Sequence, residues 1–429
     1  MHTSRNVSLM KRIGAPVRSL LLGTIILAIF SLAGAPVFAD ELGELKAQVE
    51  ALMKRIEDLE AKQTQTAKVA KEAQKAAERL PLAAPQRVVT SGNDNIQLEV
   101  SGQVNRAALF VDDGDRSRFF HVDNDNSSTR VRFVGKGRLN EDLSAGTLIE
   151  VQFESNSSAA IDIDQDGEAG PNNFTERHLT AYLDSKTLGR LWVGQGDTAS
   201  NGTSEVDLSG TAVIAYSGIE DLAGGISFKN AATQAKLVTI GGAYNQFDGF
   251  SRRDRIRYDT PTLGGFKLSS SFIQGDAWDV ALRYSADYQA MKVAAAIAYA
   301  DGAQRFDFTQ ANGSLSVLHD SGLNLTFAAG ERDLDTRLAG DDPFTYYVKA
   351  GYQFQPFDFG KSAVAIDYGI TDDLAADGDE FATWGAFWVQ KIDKIATELY
   401  FGYRNHDLDR PGVSVEDIDV VVVGARVKF

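Results

Sequence analysis

The chain has 429 residues, with 43 lysines and arginines against 59 acidic residues and a formal net charge of −16. This acidic balance argues against nucleic acid or an anionic lipid surface as the partner. Cysteine is absent, which excludes a disulfide framework, a thiol nucleophile and a thiolate metal site.

The N-terminus predicts a secretory signal peptide over residues 1–39, with cleavage after Ala39. Its apolar stretch is shorter than the roughly 20 residues of a spanning helix, and no acidic residue precedes Asp40. Cleavage takes the net charge to −20, because it removes four basic residues: Arg5, Lys11, Arg12 and Arg18. No later segment has a comparable apolar run, so an integral membrane form must be a barrel; a soluble secreted protein is the alternative.

Residues 40–80 predict a coiled-coil stalk, because apolar residues recur there at alternating steps of three and four. The run from Arg55 to Glu60 resembles a trimerisation motif of short coiled coils, and we predict a trimer from it, although the a and d residues by themselves favour two strands. A lone amphipathic helix is the alternative. The predicted trimerisation residues are Leu45, Val49, Leu52, Arg55, Ile56, Leu59 and Glu60. Pro81 and Pro85 end the helix, and residues 81–95 form a linker.

Residues 96–429 predict a barrel, since apolar and polar residues alternate there with period two. The fold class is therefore all-β: a 16-stranded antiparallel transmembrane β-barrel with an N-terminal α-helical coiled coil. Short turns fall at one end and long acidic connections at the other, as in outer-membrane barrels; a soluble β-sandwich is the alternative. The predicted strands are 96–111, 129–140, 143–155, 175–185, 188–196, 252–259, 265–274, 278–288, 290–301, 311–319, 322–333, 343–355, 361–371, 380–391, 395–407 and 415–429.

Several barrel segments resemble the general porins of Gram-negative outer membranes. They are TRVRFVGKGRLN at 129–140, ERHLTAYLDSKTLGRLWVGQGD at 176–197, RRDRIRYDTPTLGGF at 252–266 and VVVGARVKF at 421–429. The resemblance implies a homotrimeric diffusion channel in the outer membrane, in contact with its lipid and lipopolysaccharide. It also implies that the strand ending on Phe429 is the signal read by the barrel-assembly machinery. The stalk is similar instead to that of the DcaP-like channels, which are also trimers.

In the general porins the third external loop folds inward and sets acidic residues against a basic wall. The longest connection here, 197–250, is the candidate loop, and it carries Asp197, Glu205, Asp207, Glu220 and Asp221. Alternation turns seven cations toward the lumen on two strands: Arg130, Arg132, Lys136, Arg138, Arg253, Arg255 and Arg257. Cations on the lipid side would each cost about 2–4 kcal/mol at the midplane, which favours the inward orientation. They either bias ion selectivity or lock the loop to the wall, and one arrangement can do both.

Arg177 is in conflict between two arguments. The resemblance places it on the basic wall, whereas strict alternation with Leu179 and Ala181 turns it outward. We predict the lumen, with His178, Thr180 and Tyr182 then facing neighbouring subunits.

An acidic external segment matches the start of an EF-hand loop, with Asp162, Asp164 and Asp166 at alternate positions and Gly167 at the turn. Position twelve is Asn173, so the bidentate glutamate is missing. A structural Ca²⁺ in this loop is therefore weighed against a solvated acidic loop, and no other cofactor is predicted.

These features predict passive diffusion of small hydrophilic solutes through a water-filled lumen. The alternatives are a channel selective for anions, dicarboxylates or sugars, and an envelope tether in which the coiled coil binds peptidoglycan. An enzyme is not predicted, because no histidine of the mature chain adjoins a recognisable nucleophile motif. An active transporter is disfavoured, because no globular plug precedes the barrel.

Overall fold

The computed structural model describes residues 95–165, 174–334 and 342–429, together with Lys54 and the backbone of Val89–Thr90. The chain divides into two units, Met1–Gln86 and Arg87–Phe429. The signal peptide, the stalk apart from Lys54, all seven predicted trimerisation residues and most of the linker lie outside the described residues, so these features stay predictions. The second unit carries the barrel.

Almost all regular structure in the described residues is β-strand. In the described part of the second unit the α-helices are two single turns, α1 (Ile240–Ala243) and α2 (Ala303–Phe306). No described helix is long and apolar enough to cross a membrane. The strands are β1 (Val89–Thr90), β2 (Gln97–Asp112), β3 (Ser117–Asp123), β4 (Arg130–Arg138), β5 (Leu143–Phe153), β6 (Phe174–Ser185), β7 (Gly189–Asp197), β8 (Ser227–Lys229), β9 (Lys236–Thr239), β10 (Arg252–Asp259), β11 (Phe266–Ile273), β12 (Trp278–Tyr288), β13 (Met291–Asp301), β14 (Phe308–His319), β15 (Leu323–Leu334), β16 (Phe344–Phe357), β17 (Gly360–Asp372), β18 (Glu380–Ile392), β19 (Thr397–Asp409) and β20 (Ile418–Lys428).

All strands except the β8–β9 hairpin form one antiparallel sheet that closes on itself. β3 pairs with the C-terminal half of β2 and β4 with its N-terminal half, so these two strands together occupy one position in the wall. β1 adds only two residues, which pair with the start of β2. The barrel therefore has sixteen strands, and the predicted fold class is confirmed for the barrel.

The closing pair is β2 with β20, and it ends on the terminal residue. Gly102 and Phe429 exchange two backbone hydrogen bonds of 2.9 and 3.0 Å. A Cβ added at Gly102 would lie 2.5 Å from the Phe429 ring, so only glycine leaves room for that ring on the outer surface. The terminal phenylalanine therefore seals the seam of the barrel.

Side chains alternate across the wall as the sequence predicts. On β16, Phe344 and Tyr352 are about two-fifths exposed on the outer face, whereas Thr345, Tyr347 and Lys349 on the inner face are at most 3% exposed. A strand in lipid needs an apolar outer face, and its inner face is free to carry polar groups. This period of two determines which residues border the lumen.

One predicted external connection is partly a strand. Residues 117–123, expected to lie in an acidic loop, form β3 and extend the hairpin with the outer half of β2. The chain then leaves the wall in a short 3-10 turn, Asp125–Ser127, before β4 resumes the pairing. The sequence pattern missed β3 because charged residues flank its Phe119-Phe120 pair on both sides.

The long connection between β7 and β10 has an apolar core of its own. It contains the β8–β9 hairpin and α1, and its Ile219, Phe228 and Tyr244 are fully buried. They belong to one hydrophobic cluster with Phe381 and Phe387, which are inward-facing side chains of β18. The connection is thus an ordered segment packed against the inner wall.

Candidate functional site

Hydrogen bonds attach the long loop, residues 198–251, to small polar side chains of the inner wall. The backbone N–H of Val206 donates to the hydroxyl of Ser314 at 3.0 Å, and that of Leu208 donates to Ser316 at 2.9 Å. Farther back along the loop, the N–H of Ser200 donates to the carboxylate of Asp279 at 2.9 Å. Short inner-wall side chains let the loop backbone approach closely, which explains the serines on β14.

A buried ion pair adds to this attachment. Lys349 of β16 pairs with Asp207 of the loop, and their side chains are 0% and 4% exposed. The same ammonium group donates to the carbonyl of Ala215 at 2.7 Å. Asp207, predicted to face the pore, is instead a loop anchor.

Between the loop and the opposite wall lies a cavity of about 690 Å³. Arginines from several strands border it on the wall side, while acids border it mainly on the loop side. The arginines are Arg130, Arg177, Arg252, Arg332 and Arg426, and the acids are Asp125, Glu205, Glu220, Asp221 and Asp248. A polar passage with cations and carboxyl groups on facing sides can discriminate ions by their charge.

Glu150 of β5 organises the predicted basic wall. Its side chain is 1% exposed and accepts from Arg177 at 2.8 Å and from Arg132 at 2.5 Å, while Arg130 lies 3.5 Å away. Repulsion among three clustered guanidinium groups is offset by this carboxylate. Sequence reasoning missed Glu150, although alternation along β5 places it on the inner face.

A β-bulge resolves the conflict at Arg177. Glu150 pairs with His178 and Val151 with Glu176, so Arg177 is an extra residue on β6. The bulge lets Arg177 and His178 both point inward, while Leu179 keeps its outward orientation. The expectation that His178, Thr180 and Tyr182 would face neighbouring subunits is wrong for His178 and Thr180, since both are buried next to Gly196 and Arg255.

Of the four arginines of β10, the three named from the sequence, Arg253, Arg255 and Arg257, point inward, but the contacts of two of them are structural. Arg255 donates to the carbonyls of Asp197 and Gly194 at 2.9 and 2.7 Å, and Arg257 donates to that of Thr198 at 2.9 Å. They hold the start of the loop, so the contacts of these two arginines match the alternative in which the cations lock the loop to the wall. Arg253 stacks over the ring of Phe306 at 5.3 Å.

The remaining predicted residues are divided between the cavity and its surroundings. Glu205 borders the cavity and accepts from Gln246 at 2.8 Å. Asp197 lies 3.1 Å from Arg252 beside the cavity. Lys136 and Arg138 continue β4 toward its lower end, where both are exposed and away from the cavity. Sequence reasoning also missed Arg252, Arg332 and Arg426, although alternation with the outward Ala425 and Val427 would have found Arg426.

The acidic groups of the loop have altered proton affinities. Burial, aided by the charge of Asp125, raises the pKa of Asp221 to about 7. Burial and the nearby carboxyl of Asp248 raise the pKa of Glu205 well above its usual range. Burial and the nearby carboxyl of Asp221 do the same to the pKa of Glu220. Near neutral pH the loop side therefore carries less negative charge than its composition suggests.

We expect ion selectivity to change with pH through Asp221. Lowering the pH from about 8 to about 6 protonates this carboxyl, removes negative charge from the cavity and raises relative anion permeability. Reversal potentials measured across a salt gradient at both values check this. In Asp221→Asn the pH step should be much smaller, and an undiminished step would rule out Asp221 as its source.

The acidic segment proposed for Ca²⁺ makes ion pairs instead. Lys236 contacts Asp162 and Asp164, at 3.0 and 2.9 Å, and Arg116 also pairs with Asp164. Within the described part of the chain no group of three acidic or histidine side chains could hold a metal ion. Asp166 lies outside the described residues.

A closed barrel with an apolar outer face and a polar, charged interior defines a membrane channel as the class of protein. A profile of the Gram-negative porins matches residues 82–411, and the chain belongs to this family. The family and the fold indicate an outer-membrane location and passive diffusion as the transport mode. Among curated protein sequences none matches.

Solved structures support the same fold. An anion-selective porin from Comamonas acidovorans has a TM-score of 0.54 at 17% identity, covering 78% of this chain and 100% of that one. The trimer form of OmpT from Vibrio cholerae has 0.51 at 12%, covering 78% and 100%. The outer-membrane channel DcaP of Acinetobacter baumannii has 0.50 at 14%, covering 80% and 100%. At these identities the likeness concerns the fold alone.

Proposed function

We propose that the long loop constricts a water-filled pore and that small hydrophilic solutes and ions pass through the cavity between this loop and the arginine wall. The observation that carries the proposal is the cavity of about 690 Å³ itself, which five arginines border on the wall side and acids border mainly on the loop side. Because raised pKa values keep part of the acids protonated, the arginines dominate the field, which favours anions among the permeating solutes.

The experiment is single-channel recording of the purified protein in planar bilayers, with reversal potentials in a salt gradient. At about 10 Å in water one unit charge contributes about 0.4 kcal/mol, so Arg130→Gln/Arg132→Gln should lower anion permeability about threefold to fourfold at low salt and raise cation permeability by a similar factor. The anion-to-cation permeability ratio should therefore fall roughly tenfold. Arg410→Gln is the control, because this arginine is paired with Asp379 away from the cavity. Absence of step conductance would refute the channel. Unchanged selectivity in the double variant would show that Arg130 and Arg132 do not determine ion selectivity.

We further propose a homotrimer, with the stalk at residues 40–80 as an assembly device. Arg106 lies on the outer face between Val104 and Phe110, pairs with Asp123 at 2.6 Å and is 30% exposed. Such a charge is costly against lipid, which supports a protein neighbour on this face. The trimer form of the Vibrio cholerae OmpT barrel is consistent with this. The native mass of the purified protein, measured for the full chain and for a variant lacking residues 41–80, tests both the trimer and the role of the stalk in assembly.

A further inference from the structure

A second cavity lies on the inner wall near the short-turn end of the barrel. It has a volume of about 300 Å³ and is bordered by Lys292, Lys361, His319, Gln353 and Gln355. Lys361 also borders a small adjoining space with Lys391 and Gly210 of the long loop. We call the three lysines 292, 361 and 391 the lysine vestibule.

Lys361 and Lys391 lie next to each other on the inner wall, and Lys292 lies across the same cavity as Lys361, with three strands between them. Lys361 alternates with the buried Ala363 and Ala365, and Lys292 with the buried Ala296, so both point inward. The pairing of Ser362 with Gln390 places Lys361 and Lys391 at neighbouring positions on adjacent strands. Like charges at directly opposed positions, as Lys361 and Lys391 are, repel each other, which disfavours the folded chain unless something neutralises them.

Elsewhere the inner wall supplies that neutralisation itself. Lys349 pairs with Asp207, Arg404 with Asp367, and Arg426 with Glu398. Among the described residues no carboxylate lies within 4.0 Å of the vestibule ammonium groups, although four acids are near. These are Asp287, opposite Lys292 in the ladder, Asp320 at the rim of the cavity, and Asp358 and Asp393 in the turns next to Lys361 and Lys391.

We infer that the lysine vestibule binds a small oxyanion, a carboxylate or phosphate group, after it has passed the cavity beneath the long loop. Ammonium groups are point charges suited to such oxygens, and the amide of Gln355 can supply a further N–H donor. The inference rests on the proposed channel function, because an open lumen delivers the anion to this site. It makes anions with carboxylate or phosphate groups the preferred solute class.

The test measures protection of lysines from an amine-reactive reagent in the full-length protein, read by mass spectrometry. Inorganic phosphate and malonate are the two probes, with chloride at equal ionic strength as reference. Both should slow labelling of Lys361 and Lys391 in a saturable manner and leave Lys186, on the exposed β6–β7 turn, unaffected. Protection by one probe alone assigns the site to that oxyanion. No protection by either probe, or equal protection of Lys186, would overturn the inference.

Channel recording provides the second readout. Phosphate or malonate should inhibit the chloride current saturably, with a half-inhibiting concentration on the order of tenfold higher in Lys361→Gln/Lys391→Gln. Lys186→Gln is the matched control and should behave like the native protein; inhibition unchanged in the double variant would contradict the site. If labelling is protected but no step conductance is seen, the channel proposal fails while the anion site stands.

Discussion

Replacing Lys349 by methionine should release the long loop from the wall. The substitution leaves Asp207 buried without its counter-charge, and breaking a buried ion pair in this way costs about 3–5 kcal/mol. It also removes the donor to the carbonyl of Ala215. We expect proteases to cleave within residues 198–251 of a folded Lys349→Met barrel under conditions in which the native loop resists cleavage.

The control and the rescue both follow from the same contact. Lys186→Met removes an exposed lysine from a turn and should leave the cleavage rate unchanged. Lys349→Met/Asp207→Leu removes both charges and should recover much of the resistance, because no buried charge is left unpaired. Electrophoretic mobility before and after heating reports whether each barrel has folded. Native-like resistance in the single variant would show that the serine hydrogen bonds and the apolar core hold the loop without this pair.

The second large effect is expected at Glu150. Glu150→Gln removes the carboxylate shared by Arg130, Arg132 and Arg177, whose side chains then repel each other on a partly buried wall. Loss of the charge should destabilise the barrel by about 3–5 kcal/mol. It should also increase anion preference, because the wall gains one net positive charge beside the cavity.

Urea unfolding of the barrel in detergent measures the stability loss, and reversal potentials measure the selectivity. Glu416→Gln is a suitable control, since this acid lies in the β19–β20 connection away from the arginine wall. Adding Arg132→Gln to Glu150→Gln should recover part of the lost stability by relieving the repulsion. Native-like unfolding of Glu150→Gln would mean that solvent in the lumen screens the three arginines sufficiently.

The predictability of the site differs from residue to residue for a physical reason. Arg130 and Arg132 follow from alternation, because a strand in lipid has one apolar face. Arg177 does not, because the bulge at Glu150 inserts one residue and changes the side on which it lies. Arg332 lies far from the predicted basic strands in sequence and reaches the cavity only because the sheet closes into a barrel.

The loop shows a further limit of sequence reasoning. Its length marked 197–250 as functional, and its acids were natural candidates to face the pore. Glu205 does border the cavity, whereas Asp207, two residues later, is buried against Lys349. The two acids have similar sequence surroundings, and only the path of the loop over β14 and β16 separates a solute-facing acid from an anchor.

The sequence by itself determined the number of strands, the side on which most residues lie, and the family. Those properties depend on period-two alternation and turn spacing, which are local and repeat in every strand. Tertiary structure alone decided that Glu150 gathers the arginines, that Arg255 and Arg257 hold the loop, and that no carboxylate of the described residues lies within 4.0 Å of the Lys361 and Lys391 ammonium groups. Such contacts join strands and loops that are distant in sequence, so they exist only once the barrel has closed and the loop has packed inside it.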